Sequence, residues 1–183
     1  MDALSYEARQ IFRRDLLRGR SIALSGATAA PVRELLQSLG ARVSDLDPVA
    51  AADEQHASAW AQAEGRLDAL VCSDDGYDDL LSGIWAAVRA LATEAFIPKG
   101  EGLVVMLAPR HDSASAAALE NLARTLSVEW ARFGITTVAV APGATTSDHE
   151  LAQLVAFLCS PAGAYFSGCR FDLGLAQRSD RSC

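Results

Sequence analysis

Few residues in this chain could do chemistry, and they fall in a few places. His111, Asp112 and Ser113 are the residue types of a base, an orienting acid and a nucleophile. Adjacent residues point in different directions, however, whereas such a triad is a spatial relation among separate segments. An apolar-periodic run begins just after them, so Asp112 or Ser113 reads as a helix cap accepting from first-turn amides. Ser115 adds a hydroxyl with no base beside it, a weak nucleophile. Asp74, Asp75, Asp78 and Asp79 could gather around a divalent cation, but no glutamate closes a calcium loop, and Asp78 and Asp79 suit a helix N-terminus. Cys72 ends an apolar run next to these acids, whose charge disfavours its thiolate. His56 and His149 stand alone, as solvated or capping residues. Cys72, Cys159, Cys169 and Cys183 show neither CxxC nor HxxxH spacing, so they read as reduced thiols, with no metal site and no disulfide framework.

The elements that must position these groups alternate between short apolar runs and longer helical ones, the pattern of a parallel sheet covered by helices. Strands are expected at Ser21–Ser25, Ala41–Leu46, Leu67–Cys72, Leu103–Leu107, Thr136–Val140 and Cys169–Leu173. Helices are expected at Val32–Leu39, Asp53–Glu64, Leu81–Phe96, Ala114–Phe133 and His149–Cys159. Asp68 is placed at the mouth of its strand. A further helix over Leu4–Leu17, capped by Gly19, precedes the sheet as an N-terminal extension of residues 1–20. No repeat or low-complexity segment interrupts the chain, which reads as one domain over 1–183.

Composition narrows the partners. With 183 residues, half of them hydrophobic, the chain is long enough for one core. A net charge of -7 and scattered Lys and Arg leave no phosphate-neutralising surface, so nucleic acid and anionic membrane are not expected partners. No apolar run approaches the ~20 residues that cross a bilayer, and the N-terminus interleaves charge with apolar residues, which leads us to expect a cytoplasmic protein.

In this order the segments resemble the short-chain dehydrogenase/reductase family, whose fold is a doubly wound Rossmann sheet. The resemblance covers nearly everything after residue 20. It is carried by LSGA at 24–27, GARVSDLD at 40–47, GRLDALV at 65–71, AALENLARTLSVEWARFGITTVAVAPG at 117–143 and LVAFLCSPAGAYFSG at 154–168. The expected fold is therefore α/β, Rossmann-like, with about six parallel strands and helices on both faces. Between Asp47 and Leu67 there is too little chain for the family's additional helix and edge strand.

The resemblance also implies losses. The family places a Tyr-x-x-x-Lys pair at the start of the long helix and a serine on the strand before it. Here AALE fixes the register, which puts Asp112 at the tyrosine and Ala116 at the lysine, while the strand ends in Ala108 and Pro109. An alanine and an aspartate do not reproduce a phenol activated by a neighbouring ammonium. The glycine-rich phosphate loop survives only as Gly26, followed by ATAAPVRE, in which Pro31 has no N–H to offer a phosphate. Asp74 and Asp75 stand in the family's Asn-Asn-Ala-Gly turn, where their charge repels phosphate, and Asp47 alone matches the acidic residue that holds the adenosine ribose. The loops after Gly76 and after Pro142-Gly143, which would border substrate, are short.

What the resemblance implies to be kept is the docking surface. The family's counterparts of Leu81–Phe96 and Ala114–Phe133 pack against a second subunit, and the closing elements form another contact. Leu81, Trp85, Val88, Leu122, Leu126, Trp130, Phe133, Phe166 and Phe171 are the candidate interface residues. The expectation is a catalytically silent subunit that binds no cofactor and pairs with an intact paralogue, most simply as an α2β2 tetramer. NAD or NADP then belongs to the partner, and the joint activity is that of an alcohol dehydrogenase or ketoreductase, with hydroxyacyl or ketoacyl thioesters a candidate substrate class. Two other readings stay open: an atypical oxidoreductase using Asp112 as acid and base, and a homodimeric scaffold without catalysis.

Overall fold

The computed structural model describes residues 12–26, 30–73, 77 and 79–174. Six runs become strands: β1 Ser21–Ser25, β2 Arg42–Leu46, β3 Ala69–Cys72, β4 Gly102–Leu107, β5 Ile135–Ala141 and β6 Arg170–Asp172. They form one sheet in the order β2-β1-β3-β4-β5-β6, with every neighbouring pair parallel. Parallel neighbours need crossovers, and helices supply most of them. These are α1 Ala30–Ser38, α2 Pro48–Ala51, α3 Glu54–Glu64, α4 Leu80–Leu91, α5 Ser113–Glu129 and α6 Asp148–Cys159. The sheet is thus a shortened Rossmann-like one, as the sequence pattern predicts.

Alternation along each strand sorts the core into two layers. Ala23, Leu70, Cys72, Val104, Met106 and Ala139 face the side covered by α2 to α5, where they meet Ile84, Leu91, Leu119 and Leu126. Ile22, Leu24, Val71, Val105, Val138 and Val140 face α1 and α6, where they meet Leu36, Leu151 and Val155. Polar side chains set the helix starts. Asp53 accepts from Gln55 N at 2.8 Å to open α3, and Ser147 with Glu150 forms a reciprocal capping box on α6.

The helix expected to end at Phe96 runs on. A π-turn over Ala92–Phe96 and a last turn over Ile97–Lys99 follow α4, ending on Gly100 in the left-handed region. Pro98 accounts for the wider turn: it has no N–H for the Glu94 carbonyl and its ring crowds that oxygen, so the ladder takes in an extra residue. The whole run, Leu80–Lys99, is long and apolar enough to cross a membrane by length and composition, which corrects the sequence expectation that no run approaches that size. Its Ile84, Ala87, Val88, Ala90, Leu91 and Phe96 are completely buried in the core.

Two other expectations change. Residues 1–11 of the expected N-terminal helix lie outside the described residues, and 12–20 form turns instead, with Asp15 at φ +65°. Leu17 still plugs the α1/α6 layer, and its N–H donates to the Leu39 carbonyl at 2.9 Å. Asp68 lies at the N-terminal end of β3, only 2% exposed. It accepts from Ser21 N at 2.7 Å and from Lys99 Nζ, and Arg66 approaches at 3.4 Å. Lys99 also donates to the Leu67 carbonyl at 3.3 Å and pairs with Glu101 at 2.9 Å, tying β1, β3, β4 and the end of the α4 run together.

Among the described residues no strand lies beyond β2, so β2 is an edge of the sheet. Its side chains are held by neighbouring elements. Arg42 pairs with Glu64 and donates to Ser21 Oγ at 2.8 Å, Ser44 donates to Glu64 at 2.6 Å, and Asp45 pairs with Arg33.

Candidate functional site

In a sheet of this order the chain turns to opposite sides after β1 and after β3, and ligands of such folds bind outside the carboxyl ends of the strands at that switch point. The candidate site is therefore the rim formed by the ends of β1, β3, β4 and β5. Gly26 ends β1 with φ +88°, and Pro31 lies in the first turn of α1. Asp74 and Asp75 lie outside the described residues, as does Asp78.

At the β1–β3 crevice stands a residue that the sequence reading passed over. The Tyr77 hydroxyl lies 2.5 Å from Ser25 Oγ, and Ser25 is completely buried. The ring rests on Gly83 of α4: a Cβ added there would fall 2.1 Å from Tyr77 Cδ1. Burial pushes the Tyr77 phenol well above its ordinary range, and nearby Cys72 adds to the rise, against a smaller lowering by Ser25. Cys72 is itself raised by burial. The Ser73 hydroxyl, buried at the same strand end, has no hydrogen-bond partner among the described residues. No local pattern marks Tyr77 in the sequence; the signal is a glycine on the α4 helix whose missing side chain the ring requires.

Asp47, at the end of β2, is exposed. It caps α2, accepting from Val49 N at 2.8 Å and Ala50 N at 3.2 Å. Asp79 likewise caps α4, accepting from Ser82 N at 3.4 Å and from Ser82 Oγ at 2.8 Å.

The β4–β5 side of the rim holds the positions that match the family's proton-transfer residues by register. Asp112 caps α5, with Ala114 N and Ser115 N each at 3.0 Å and Ser115 Oγ at 2.6 Å. The Ser115 hydroxyl first and then the amides of the first turn hold its carboxyl below the ordinary aspartate value, so it stays ionised at neutral pH. Ala116, one turn into α5, is buried. His111 is exposed at φ +68°, and no hydrogen bond joins it to Asp112 or Ser113. After Pro109, Arg110 reaches across the rim. It donates to the Thr146 carbonyl, lies 3.5 Å from the Gly143 carbonyl and pairs with Asp148 at 2.7 Å. The guanidinium fastens the exit of β4 to that of β5. Gly143 N donates to Thr146 Oγ1 at 2.8 Å, while Gly174 closes over Gly143 so tightly that a Cβ there would lie 2.6 Å from its Cα.

The interface set divides. Leu81 and Trp85 are 40% and 38% exposed, and Trp85 stacks on Trp130 with ring centroids 6.4 Å apart. Leu122, Trp130 and Phe133 are partly buried against the core. Val88 and Leu126 are core residues at 0% and 1%, because their helical phase points at the sheet. Phe166 joins Phe157 and Phe171 in an aromatic cluster, with centroids 5.6 and 5.3 Å away. That cluster packs on the α1/α6 layer. Val128 and Tyr165, at 79% and 88%, are exposed apolar residues that the sequence reading did not select for this role.

No family model matches the chain. Two tropinone reductase homologues of Arabidopsis thaliana are 33% identical to it across 40% of this chain and 38% of their own length. The match thus spans well under half of those curated relatives. Solved structures share the fold over nearly its whole length. The citronellol catabolism dehydrogenase of Pseudomonas aeruginosa PAO1 superposes with a TM-score of 0.74 at 23% identity, covering 91% of this chain and 99% of that one. The 2-keto-3-deoxy-D-gluconate dehydrogenase of Streptococcus agalactiae gives 0.72 at 15%, covering 90% and 96%. The 3-ketoacyl-(acyl-carrier-protein) reductase of Brucella melitensis, solved in complex with NADH, gives 0.71 at 20%, covering 86% and 97%. The fold is therefore one used by dehydrogenases and reductases.

Proposed function

We propose that this chain is a member of the short-chain dehydrogenase/reductase family that has lost catalysis. In this reading it serves as a single-domain, cytoplasmic subunit that pairs with and stabilises an intact paralogue, most simply as α2β2. The partner carries NAD or NADP and performs the oxidation or reduction of an alcohol or ketone. Hydroxyacyl or ketoacyl thioesters are the substrate class to try first. The observation that carries the reading is the start of α5. Where the family needs a phenol and an ammonium, this chain has an ionised cap, Asp112, and a buried methyl group, Ala116. A carboxylate held below its ordinary pKa by amides and a hydroxyl is a poor general acid near neutrality. That also disfavours the atypical enzyme built on Asp112.

What supports association is the pair Leu81 and Trp85, apolar, exposed and one helical turn apart on α4. The test is co-expression of the tagged chain with a paralogue that retains Tyr-x-x-x-Lys. Co-elution on size exclusion, with oxidoreductase activity that depends on the paralogue's tyrosine alone, is the expected result. A chain that elutes as a homodimer and ignores the paralogue is the scaffold of the remaining reading. Isothermal calorimetry with NAD(H) and NADP(H) tests the cofactor side: micromolar binding to the isolated chain overturns it.

A further inference from the structure

Beside the β1–β3 switch point an aromatic side chain lies against the end of β1. A dinucleotide can use such a crevice only where backbone approaches its pyrophosphate closely and without side chains in between. Here an aromatic ring lies next to that point. Tyr77 reaches from the segment after β3 to the end of β1, where its hydroxyl meets the buried Ser25 Oγ at 2.5 Å. On its other side the ring lies against Gly83, the α4 position where a side chain would collide with it at 2.1 Å. The remaining ring contacts belong to the main core cluster on the α2–α5 side of the sheet.

We propose that Tyr77 is a permanent internal occupant of this crevice, holding β1 and α4 together where a nucleotide would otherwise lie. The inference rests on the nucleotide-free reading given above and goes further, because it assigns the closure to one side chain. The buried Ser25 Oγ has the phenol as its hydrogen-bond partner, and the ring supplies apolar contact that a polar ligand could not. The raised phenol pKa agrees with a ring withdrawn from water.

The experiment is calorimetric, on the full chain, with p-cresol as a stand-in for the tyrosine side chain. Tyr77→Ala should melt below the wild type and regain about 3 to 6 °C at p-cresol concentrations near ten times its Kd, while the wild type and Tyr77→Phe do not respond. No rescue of Tyr77→Ala overturns the proposal. If Tyr77→Ala does not fold, Gly83→Ala gives the answer by spectrophotometric titration. Displacing the ring should bring one more tyrosine into the ordinary range near 10 than in the wild type, and an unchanged titration overturns the proposal. Micromolar NAD binding to the wild-type chain would overturn both this inference and the reading beneath it. Failed rescue with NAD still unbound overturns this inference alone.

Discussion

Replacing Asp68 should cost this protein more than replacing any exposed charge. The carboxylate is 2% exposed and holds the Ser21 N–H, Lys99 Nζ and Arg66. Truncation in Asp68→Ala leaves an ammonium and a backbone N–H without their acceptor. Breaking a buried pair from one side costs ~3–5 kcal/mol. Lys99 is 24% exposed and keeps Glu101, so the lower end applies, about 3 kcal/mol. For a domain of this size that is roughly a 6–12 °C drop in Tm. Asp68→Asn keeps an acceptor for Ser21 and loses only the charge, about 2 kcal/mol. Burial pushes the Asp68 carboxyl up, but the Lys99 hydrogen bond, the Ser21 amide and the two cations outweigh it, so the folded value lies below the ordinary one. The ionised carboxylate's contribution is therefore complete above the unfolded pKa near 4 and is lost as pH falls through the folded value. Urea unfolding at pH 7 and then at steps down to pH 3 measures this. The gap between wild type and Asp68→Asn should hold to about pH 4 and narrow below it. A Tm loss under about 2 °C for Asp68→Ala, or a gap that widens in acid, would refute the reasoning.

Other substitutions test other parts of the fold. Phe96→Ala empties the space of the largest completely buried side chain and should cost about 3–5 kcal/mol in chemical denaturation. Gly163→Ala would bring a Cβ within 1.7 Å of the Leu158 carbonyl oxygen, and soluble yield on expression should collapse. Changing Leu81 and Trp85 together to arginine should leave the isolated chain's circular dichroism unchanged and abolish co-elution with the paralogue. Among the described thiols, Cys169 is exposed, whereas Cys72 and Cys159 are buried, and burial pushes Cys159 up to about 12. Iodoacetamide at pH 8 should therefore label Cys169 in the native protein and spare the other two, as peptide mass spectrometry will show.

The central strands were legible because they are buried on both faces and so appear as nearly unbroken apolar runs such as LVVML. Helix caps were legible where an acid precedes an apolar stripe, as at Asp53 and Asp112. The N-terminal periodicity misled over residues 12–17 because a short amphipathic helix is marginal alone, and Leu17 is used instead to anchor a turn to Leu39. Val88 and Leu126 were grouped with the docking residues because apolarity does not say which helix face meets the sheet. At the rim, substitutions could be read by register, but Tyr77 on Gly83 and Arg110 across β4 and β5 are long-range pairings whose partners are fixed only when the topology brings strand ends together.

The edge at β2 bears on how such molecules crowd together. A bare strand edge is a template on which another chain can extend the sheet, and repeated extension leads to fibres. Here Arg42 and Asp45 project from that strand as charges paired with Glu64 and Arg33, so a newcomer strand would meet hydrated ions. The charged side chains Arg42 and Asp45 disfavour growth on that side.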